Sequence, residues 1–413
     1  MSVAVLGSGL FGIAAVRSLR RSGLDVTWLS EDQAPGGLWR ADSLASKVYP
    51  SLLMITPSGD SVFRDDRSRF GDRFLRWSEY AEYLSQAMPQ DGEVRVFGAR
   101  VRECVPVEDG WEVRADSFTG KFDWIVNATG RNNRPRALAV PPGGTAYRHV
   151  HASEYRTLSS IEGARCLVVG TGQSGVDIAS DLALRGNEVD VSVRSGSLIV
   201  PKYILGKPVR APRSGGLARR VTSPVKRRLL RLLVGRQEEW GLPEPAGESM
   251  PVVSDLFLHV LRHGLVTVRP AVGSLRENDV LFADGSTERY DVVVSATGYE
   301  WTLPHLPAGV QDSGLLLGML PPGVDRLILL NGFRCKGAAM ACAEIQADLV
   351  PRIVLGEIVP GTGAPLSPER ARVGFTGADY RVYLAGLTSR GRGRTFPGSP
   401  GSRARRSSPS LPS

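Results

Sequence analysis

Gly7-Ser8-Gly9-Leu10-Phe11-Gly12 follows a short apolar run at residues 2–6 and leads into a stretch carrying Ile13, Ala14, Ala15, Val16 and Leu19. As strand, turn and helix, this spacing suits the cradling of a pyrophosphate. Gly7 allows a tight turn, Gly9 lets backbone approach phosphate oxygens, and Gly12 lets the helix touch the strand, with the negative charge at the helix N-terminus. A second apolar run, residues 24–30, ends at Glu31, 19 residues beyond Gly12, where a carboxylate can accept hydrogen bonds from a ribose. The pattern recurs at Gly170-Thr171-Gly172-Gln173-Ser174-Gly175, between the apolar run 165–169 and a helical stretch opening with Val176, Asp177 and Ile178. Here the following strand, residues 188–193, ends in Arg194. A guanidinium suits a ribose 2′-phosphate that a carboxylate would repel, so the second site is expected to prefer NADP(H) over NAD(H).

The surrounding elements must hold these two turns. The loop Gln33-Ala34-Pro35-Gly36-Gly37-Leu38-Trp39-Arg40 combines paired glycines, which admit close backbone approach, with a large flat side chain. Gly37-Leu38-Trp39 after an acidic strand end is a flavoprotein signal, and the assignment of NADPH to the second site through Arg194 leaves FAD to the first. Strands are expected at residues 93–97, 101–105, 111–114, 124–127, 265–269, 280–282, 291–295 and 326–330, and helices at 77–88 and 338–354, from apolar periodicity. Ala128-Thr129-Gly130 and Ala296-Thr297-Gly298 repeat one another, as expected if each nucleotide domain closes with an equivalent strand. The expected fold class is α/β, with two Rossmann-like dinucleotide-binding domains and a disordered basic C-terminal tail. Residues 1–150 and 301–386 would form the FAD-binding domain in two parts, 151–300 the NADPH-binding domain with an insertion at about 201–255, and 387–413 the tail.

Composition narrows the class. A chain of 413 residues with 42% hydrophobic and 23% charged content is ordinary for a globular protein with more than one domain. The N-terminus lacks a basic n-region, and no apolar run approaches the roughly 18 residues of a membrane helix, so a cytoplasmic protein without an integral membrane segment is expected. Positive charge is concentrated in residues 201–240 and 390–413, without aromatic interleaving, so a nucleic-acid partner is not expected. SPVKRRLLRLLVGRQ, with Leu229, Leu230, Leu232 and Leu233, reads as an amphipathic insertion packing its apolar face on its own domain, with a membrane-surface helix as the alternative. Cys104, Cys166, Cys335 and Cys342 form no C-x-x-C and no metal-ligand spacing; all four are expected to be buried, reduced and unreactive, and no metal is expected.

Taken together, residues 2–355 resemble the flavin-containing monooxygenases, on Gly7, Gly9, Gly12, Glu31, Gly37-Leu38-Trp39, the second glycine set with Ser174-Gly175-Val176-Asp177, Arg194, and Ala296-Thr297-Gly298-Tyr299. The resemblance implies FAD, NADPH and O2, and transfer of one oxygen atom to an amine nitrogen or a sulfur of a small-molecule substrate. It also implies that Glu344-Ile345-Gln346-Ala347 returns to the flavin, which adds Gln346 to the cofactor-binding set. No side-chain acid or base is required, and none is assigned as catalytic. The family's identifying motif is half present: His151 and Tyr155 occupy its second half, whereas Thr145 and Tyr147 replace its Phe and Gly. Baeyer–Villiger relatives usually carry Trp followed by Pro where this chain has Tyr155-Arg156. The family's flavin-side asparagine aligns with Ile55, followed by Thr56. Either Thr56 or bound NADP+ then protects the activated oxygen, or peroxide leaks. The alternatives are a Baeyer–Villiger enzyme, an uncoupled NADPH oxidase and a flavin-binding protein without turnover; a homodimer is the assembly expected.

Overall fold

The computed structural model describes residues 1–88, 93–158, 160–209, 231–232, 234–245, 251–312, 314–358 and 366–388. In chain order the elements that position the two turns are β1 (Ser2–Leu6), α1 (Leu10–Arg21), β2 (Asp25–Ser30), α2 (Trp77–Gln86), β3 (Glu93–Phe97), β4 (Trp124–Asn127), β5 (Arg148–His151), β6 (Arg165–Val169), α3 (Gln173–Leu184), β7 (Glu188–Ser192), α4 (Asp255–Arg262), β8 (Val266–Arg269), β9 (Val292–Ser295), β10 (Leu327–Leu329), α5 (Ala339–Val354) and α6 (Gly377–Thr388).

They build two five-stranded parallel sheets, ordered β10-β4-β1-β2-β3 and β8-β7-β6-β9-β5. In each, the strand before a glycine turn is central. Val3, Ala4, Val5 and Leu6 have no exposed surface, and neither do Cys166, Leu167 and Val168. Both faces of these strands are covered, which is why they read as unbroken apolar runs rather than alternating ones. On one side of the central strand lies the strand ending in Glu31 or Arg194; on the other lies the strand running into Ala-Thr-Gly. Each sheet also carries a three-stranded antiparallel excursion, at Val101–Val107, Gly110–Ala115 and Phe118–Phe122 between β3 and β4 in the first, and at Val272–Leu275, Val280–Phe282 and Thr287–Glu288 between β8 and β9 in the second.

The chain leaves the first sheet after β4, builds the second, and returns as β10. β5 straddles the expected boundary at 150 and 151 and pairs with β9 of the second sheet. It was not foreseen, nor was the strand Phe118–Phe122, because Arg148-His149-Val150-His151 and Phe118-Thr119-Gly120-Lys121-Phe122 carry too few apolar residues to stand out. α1 packs against α5 within one core, and the burial of α5 on nearly all sides follows from its contacts with both α1 and α6. α6 runs two residues into the segment expected to be disordered: Tyr380 and Leu384 are buried and Leu387 packs on the core, which anchors this last turn. The remainder of the expected tail lies outside the described residues. So does most of the amphipathic stretch, of which Leu232 is exposed. No helix among the described residues is long and apolar enough to cross a membrane.

Candidate functional site

Both turns are built by the same contacts. Gly7 and Gly170 adopt φ of +100° and +110°, in the region that favours glycine. A Cβ on Gly7 would lie 2.6 Å from the Ala128 carbonyl oxygen, and one on Gly170 would lie 2.9 Å from that of Ala296. Each Ala-Thr-Gly segment therefore presses its first carbonyl against a fingerprint turn, a role the repeated tripeptide alone did not disclose. Gly12 and Gly175 sit where a Cβ would come within 2.0 Å and 1.9 Å of the Gly7 and Gly170 carbonyl oxygens. The third glycine thus sets the distance between helix and strand.

The middle glycines differ. Gly9 faces Gly37 so closely that a Cβ on Gly37 would lie 2.9 Å from the Gly9 Cα, and the Gly36 N–H donates to the Ser8 carbonyl at 2.8 Å. This contact welds the loop 33–40 to the first turn. Gly172 has open space above it, with no atom within 4 Å of a Cβ built there. Gly9 and Gly172 both act as helix N-caps without a side chain closing the helix. The first intrahelical bonds are made by Ile13 and Val176, to Gly9 and Gly172. The N–H groups of Leu10, Phe11 and Gly12, and of Gln173, Ser174 and Gly175, are thereby left to a ligand, whereas α4 spends Ser254 on capping its Phe257 N–H at 3.2 Å.

Around the first turn, Glu31 stands exposed one residue beyond β2, 3.6 Å from Arg100. Its neighbour Asp32 is buried and holds the following loop through the Ser43 hydroxyl at 3.0 Å and the Leu44 N–H at 3.2 Å. The Ser8 hydroxyl is 2.8 Å from that of Ser30, and Phe11 is buried in the core, so both residues offer backbone to the site. Gly37-Leu38-Trp39 forms a 3-10 turn, and the Trp39 ring meets Tyr80 of α2 edge-on at 5.0 Å. His305, not foreseen, donates from Nε2 to the Asn127 side-chain oxygen at 2.8 Å, at the end of β4; burial holds its pKa down at about 4 and keeps it neutral.

Around the second turn, Arg194 is exposed two residues beyond β7 and pairs with no carboxylate among the described residues. Thr171 is buried with its hydroxyl 3.3 Å from Ser197. Gln173 donates to the Val253 carbonyl at 2.9 Å and accepts from the Val253 N–H at 3.1 Å, while also donating to Asp177 at 3.0 Å. Burial raises the Asp177 carboxyl to about 6 and lowers the Lys202 ammonium facing it. The side chains of Gln173 and Asp177 are thus braces for the segment 252–254. Val176 has no exposed surface and belongs to the core, so its side chain cannot touch a cofactor.

The remaining candidates serve the frame. Gln346 also has no exposed surface; it accepts from the Asn331 N–H at 2.9 Å and fixes the loop after β10 instead of facing a ligand directly. Its helical spacing in α5 could not reveal which turn is covered by α6. Thr56 and Ile55 are half-buried, and the Thr56 hydroxyl lies 2.6 Å from Ser61. His151 Nε2 donates to the Gly298 carbonyl at 3.0 Å, bracing the second Ala-Thr-Gly turn. The Tyr155 hydroxyl donates to Asp181 of α3, which also accepts from Ser51 of the first lobe and pairs with Arg185 at 3.1 Å. Cys335 departs from the expectation of deep burial: it is half-buried, and despite their separation in sequence it and Cys342 both sit against Phe375. No group of three or more metal-ligating side chains is present among the described residues.

Comparison with known proteins agrees with this geometry. Residues 1–362 match the family described as flavin-binding monooxygenase-like. The rat protein named dimethylaniline monooxygenase [N-oxide-forming] 2 is 29% identical over 396 residues, covering 86% of this chain and 73% of its own. Flavin-containing monooxygenase 3 of Macaca mulatta is 27% identical over 398 residues, covering 86% and 74%. In fold, the chain resembles a crystal structure of cyclohexanone monooxygenase, with a TM-score of 0.71 at 18% identity, covering 94% of this chain and 98% of that one. It also resembles S-allyl-L-cysteine S-oxygenase from Allium sativum, with a TM-score of 0.61 at 19% identity, covering 94% and 82%. The chain belongs to the flavin-binding monooxygenase-like family, whose members work as oxidoreductases with FAD and NADPH.

Proposed function

We propose that the turn at residues 7–12 holds FAD, that the turn at 170–175 holds NADPH, and that the enzyme oxygenates an amine nitrogen or a sulfur of a small molecule. The observation that carries the assignment is the duplicated, uncapped helix start, with a carboxylate beyond one second strand and, beyond the other, a guanidinium that pairs with no carboxylate among the described residues. The residues fit the two groups: the N–H groups of Leu10, Phe11 and Gly12 can receive the FAD pyrophosphate, and Glu31 can accept from its ribose. Those of Gln173, Ser174 and Gly175 can receive the NADPH pyrophosphate, above the open space at Gly172, with Arg194 on the 2′-phosphate.

FAD and NADPH, when bound, supply hydride transfer and activation of O2, of which one atom goes to the substrate and the other to water. The chain itself orients these groups and excludes water. Tyr155, Asp181 and Ser51 tie the two lobes, as do the Phe74 contacts with Tyr203 at 5.2 Å and Lys202 at 5.3 Å, so the cofactors can meet across a fixed gap. Nitrogen or sulfur is favoured over ketone oxygenation by the N-oxide-forming relatives and by Tyr155 in place of tryptophan. The test is a panel of tertiary amines, thioethers and cyclic ketones, scoring oxygenated product against NADPH consumed. Amine or thioether product supports the reading; lactone from the ketones alone would replace it with Baeyer–Villiger chemistry.

A further inference from the structure

The meeting of Cys335 and Cys342 belongs to neither nucleotide turn. Cys342 lies in the first turn of α5 with no exposed surface, and its sulfur reaches the same Phe375 carbonyl oxygen that accepts from the N–H of Lys336, the residue after Cys335, at 2.7 Å. Both are seated on Phe375: Cys335 forms a parallel bridge with it, and the Cys342 sulfur is 4.0 Å from its carbonyl oxygen. The two thiols differ in setting. Cys335 is half-buried, its sulfur is 3.7 Å from the Asn331 side-chain oxygen, and the Arg131 guanidinium donates to the Asn331 carbonyl at 3.4 Å. The hydrogen bond to Cys335 and burial hold Cys342 well above the ordinary thiol range. Cys335 is therefore the part-exposed member of the pair, and Cys342 is the buried, protonated one.

We propose that Cys335 and Cys342 form a peroxide-sensitive modification site, in which hydrogen peroxide oxidises Cys335 and Cys342 resolves the product into an intramolecular disulfide. The Cys335 thiolate attacks one oxygen of H2O2; the O–O bond breaks, giving the sulfenic acid and hydroxide, which takes up the proton the thiol lost. The Cys342 sulfur then displaces hydroxide from the Cys335 sulfur, its own proton completing a second water. Two thiols and one H2O2 become one disulfide and two waters, with two electrons passing from sulfur to peroxide oxygen. Oxidation draws Cys335 away from Asn331, whose N–H is held by Gln346 and whose carbonyl accepts from Arg131 at 3.4 Å. That loop follows β10 at the carboxyl edge of the first sheet, where ligands bind in open parallel sheets. The inference rests on the thiol geometry alone and stands whether or not the proposed oxygenation is correct.

The test treats the full-length protein with a small molar excess of H2O2, quenches it, denatures it and counts thiols. The count is expected to fall from four to two, with a tryptic disulfide joining Cys335-Lys336 to the peptide spanning residues 337–352, reversed by dithiothreitol. Cys335→Ser should leave Cys342 reduced under the same treatment, and Cys342→Ser should leave Cys335 as a sulfenic acid trapped by dimedone. A count that stays at four, a disulfide made between chains, or equal oxidation of Cys342 in Cys335→Ser would overturn the proposal.

Discussion

Alanine at the two last glycines of the second fingerprint should separate fold from cofactor binding. At Gly172 the backbone has φ −73° and ψ 178°, which alanine adopts freely, and its Cβ would meet no atom within 4 Å. Losing glycine at an N-cap costs about 0.5–1 kcal/mol, and restricting the unfolded chain returns about 0.4–1 kcal/mol, so stability should change by less than about 1 kcal/mol. The methyl group nevertheless occupies the space through which a pyrophosphate must approach the free N–H groups of α3. A charged ligand at a helix N-terminus gains up to about 2 kcal/mol, and losing that raises the dissociation constant about thirtyfold. At Gly175 the added carbon would lie 1.9 Å from the Gly170 carbonyl oxygen, so α3 must be driven from β6 at a cost of about 1–3 kcal/mol or more. Gly172→Ala should therefore keep the melting temperature and flavin content of the parent while its KM for NADPH rises by about thirtyfold. Gly175→Ala should lose folded protein. Unchanged NADPH binding in a well-folded Gly172→Ala protein would refute the placement of NADPH at this turn.

Three further outcomes follow from the same geometry. Arg194→Ala removes a charge-assisted contact to the 2′-phosphate, which at an exposed position is worth about 1.4 kcal/mol, so the ratio of kcat/KM for NADPH over NADH should fall about tenfold; an unchanged ratio places the 2′-phosphate elsewhere. His305 is held near pH 4 by burial, below its unfolded value, so the stability it confers is complete above about pH 6.5 and is lost as pH falls towards 4, by about 3 kcal/mol. In urea melts, the pH dependence of the parent between pH 7 and pH 4.5 should be flattened in His305→Gln; parallel curves would contradict the neutral, buried imidazole. Ile55→Asn restores a polar hydrogen at the position the resemblance places beside the flavin, and should lower the peroxide released per NADPH consumed in a coupled peroxidase assay, whereas no change would show that this position does not govern the leak.

What the sequence disclosed was the part written in glycine spacing and strand ends. Gly12 and Gly175 are legible because a side chain at either collides with the carbonyl oxygen five residues earlier, a local constraint, and Gly7 and Gly170 because the tight turn itself takes a positive φ. Glu31 and Arg194 are legible because the end of a strand fixes where the next residue stands. Side-chain roles deeper in the motifs were less legible. Val176 and Gln346 lie next to site residues in sequence, yet burial by distant elements turns them inward. Gln173 and Asp177 look like ligand-binding polar residues until Val253, remote in sequence, is seen to accept and donate to Gln173. The approach of Cys335 and Cys342 to the same residue, Phe375, depends on the fold of the loop before α5, and no spacing rule reports it. β5 escaped notice because its pairing partner, β9, lies far along the chain and supplies the burial its own composition lacks.

The central claim is that this chain transfers one atom of O2 to a nitrogen or sulfur at the expense of NADPH. The direct measurement is mass spectrometry of product made under 18O2 from N,N-dimethylaniline and a simple thioether, with NADPH and H2O2 followed in parallel. One 18O atom per product molecule, with product and peroxide together accounting for the NADPH consumed, is the result expected. NADPH oxidation recovered entirely as H2O2, with no labelled product from either substrate class, would contradict it.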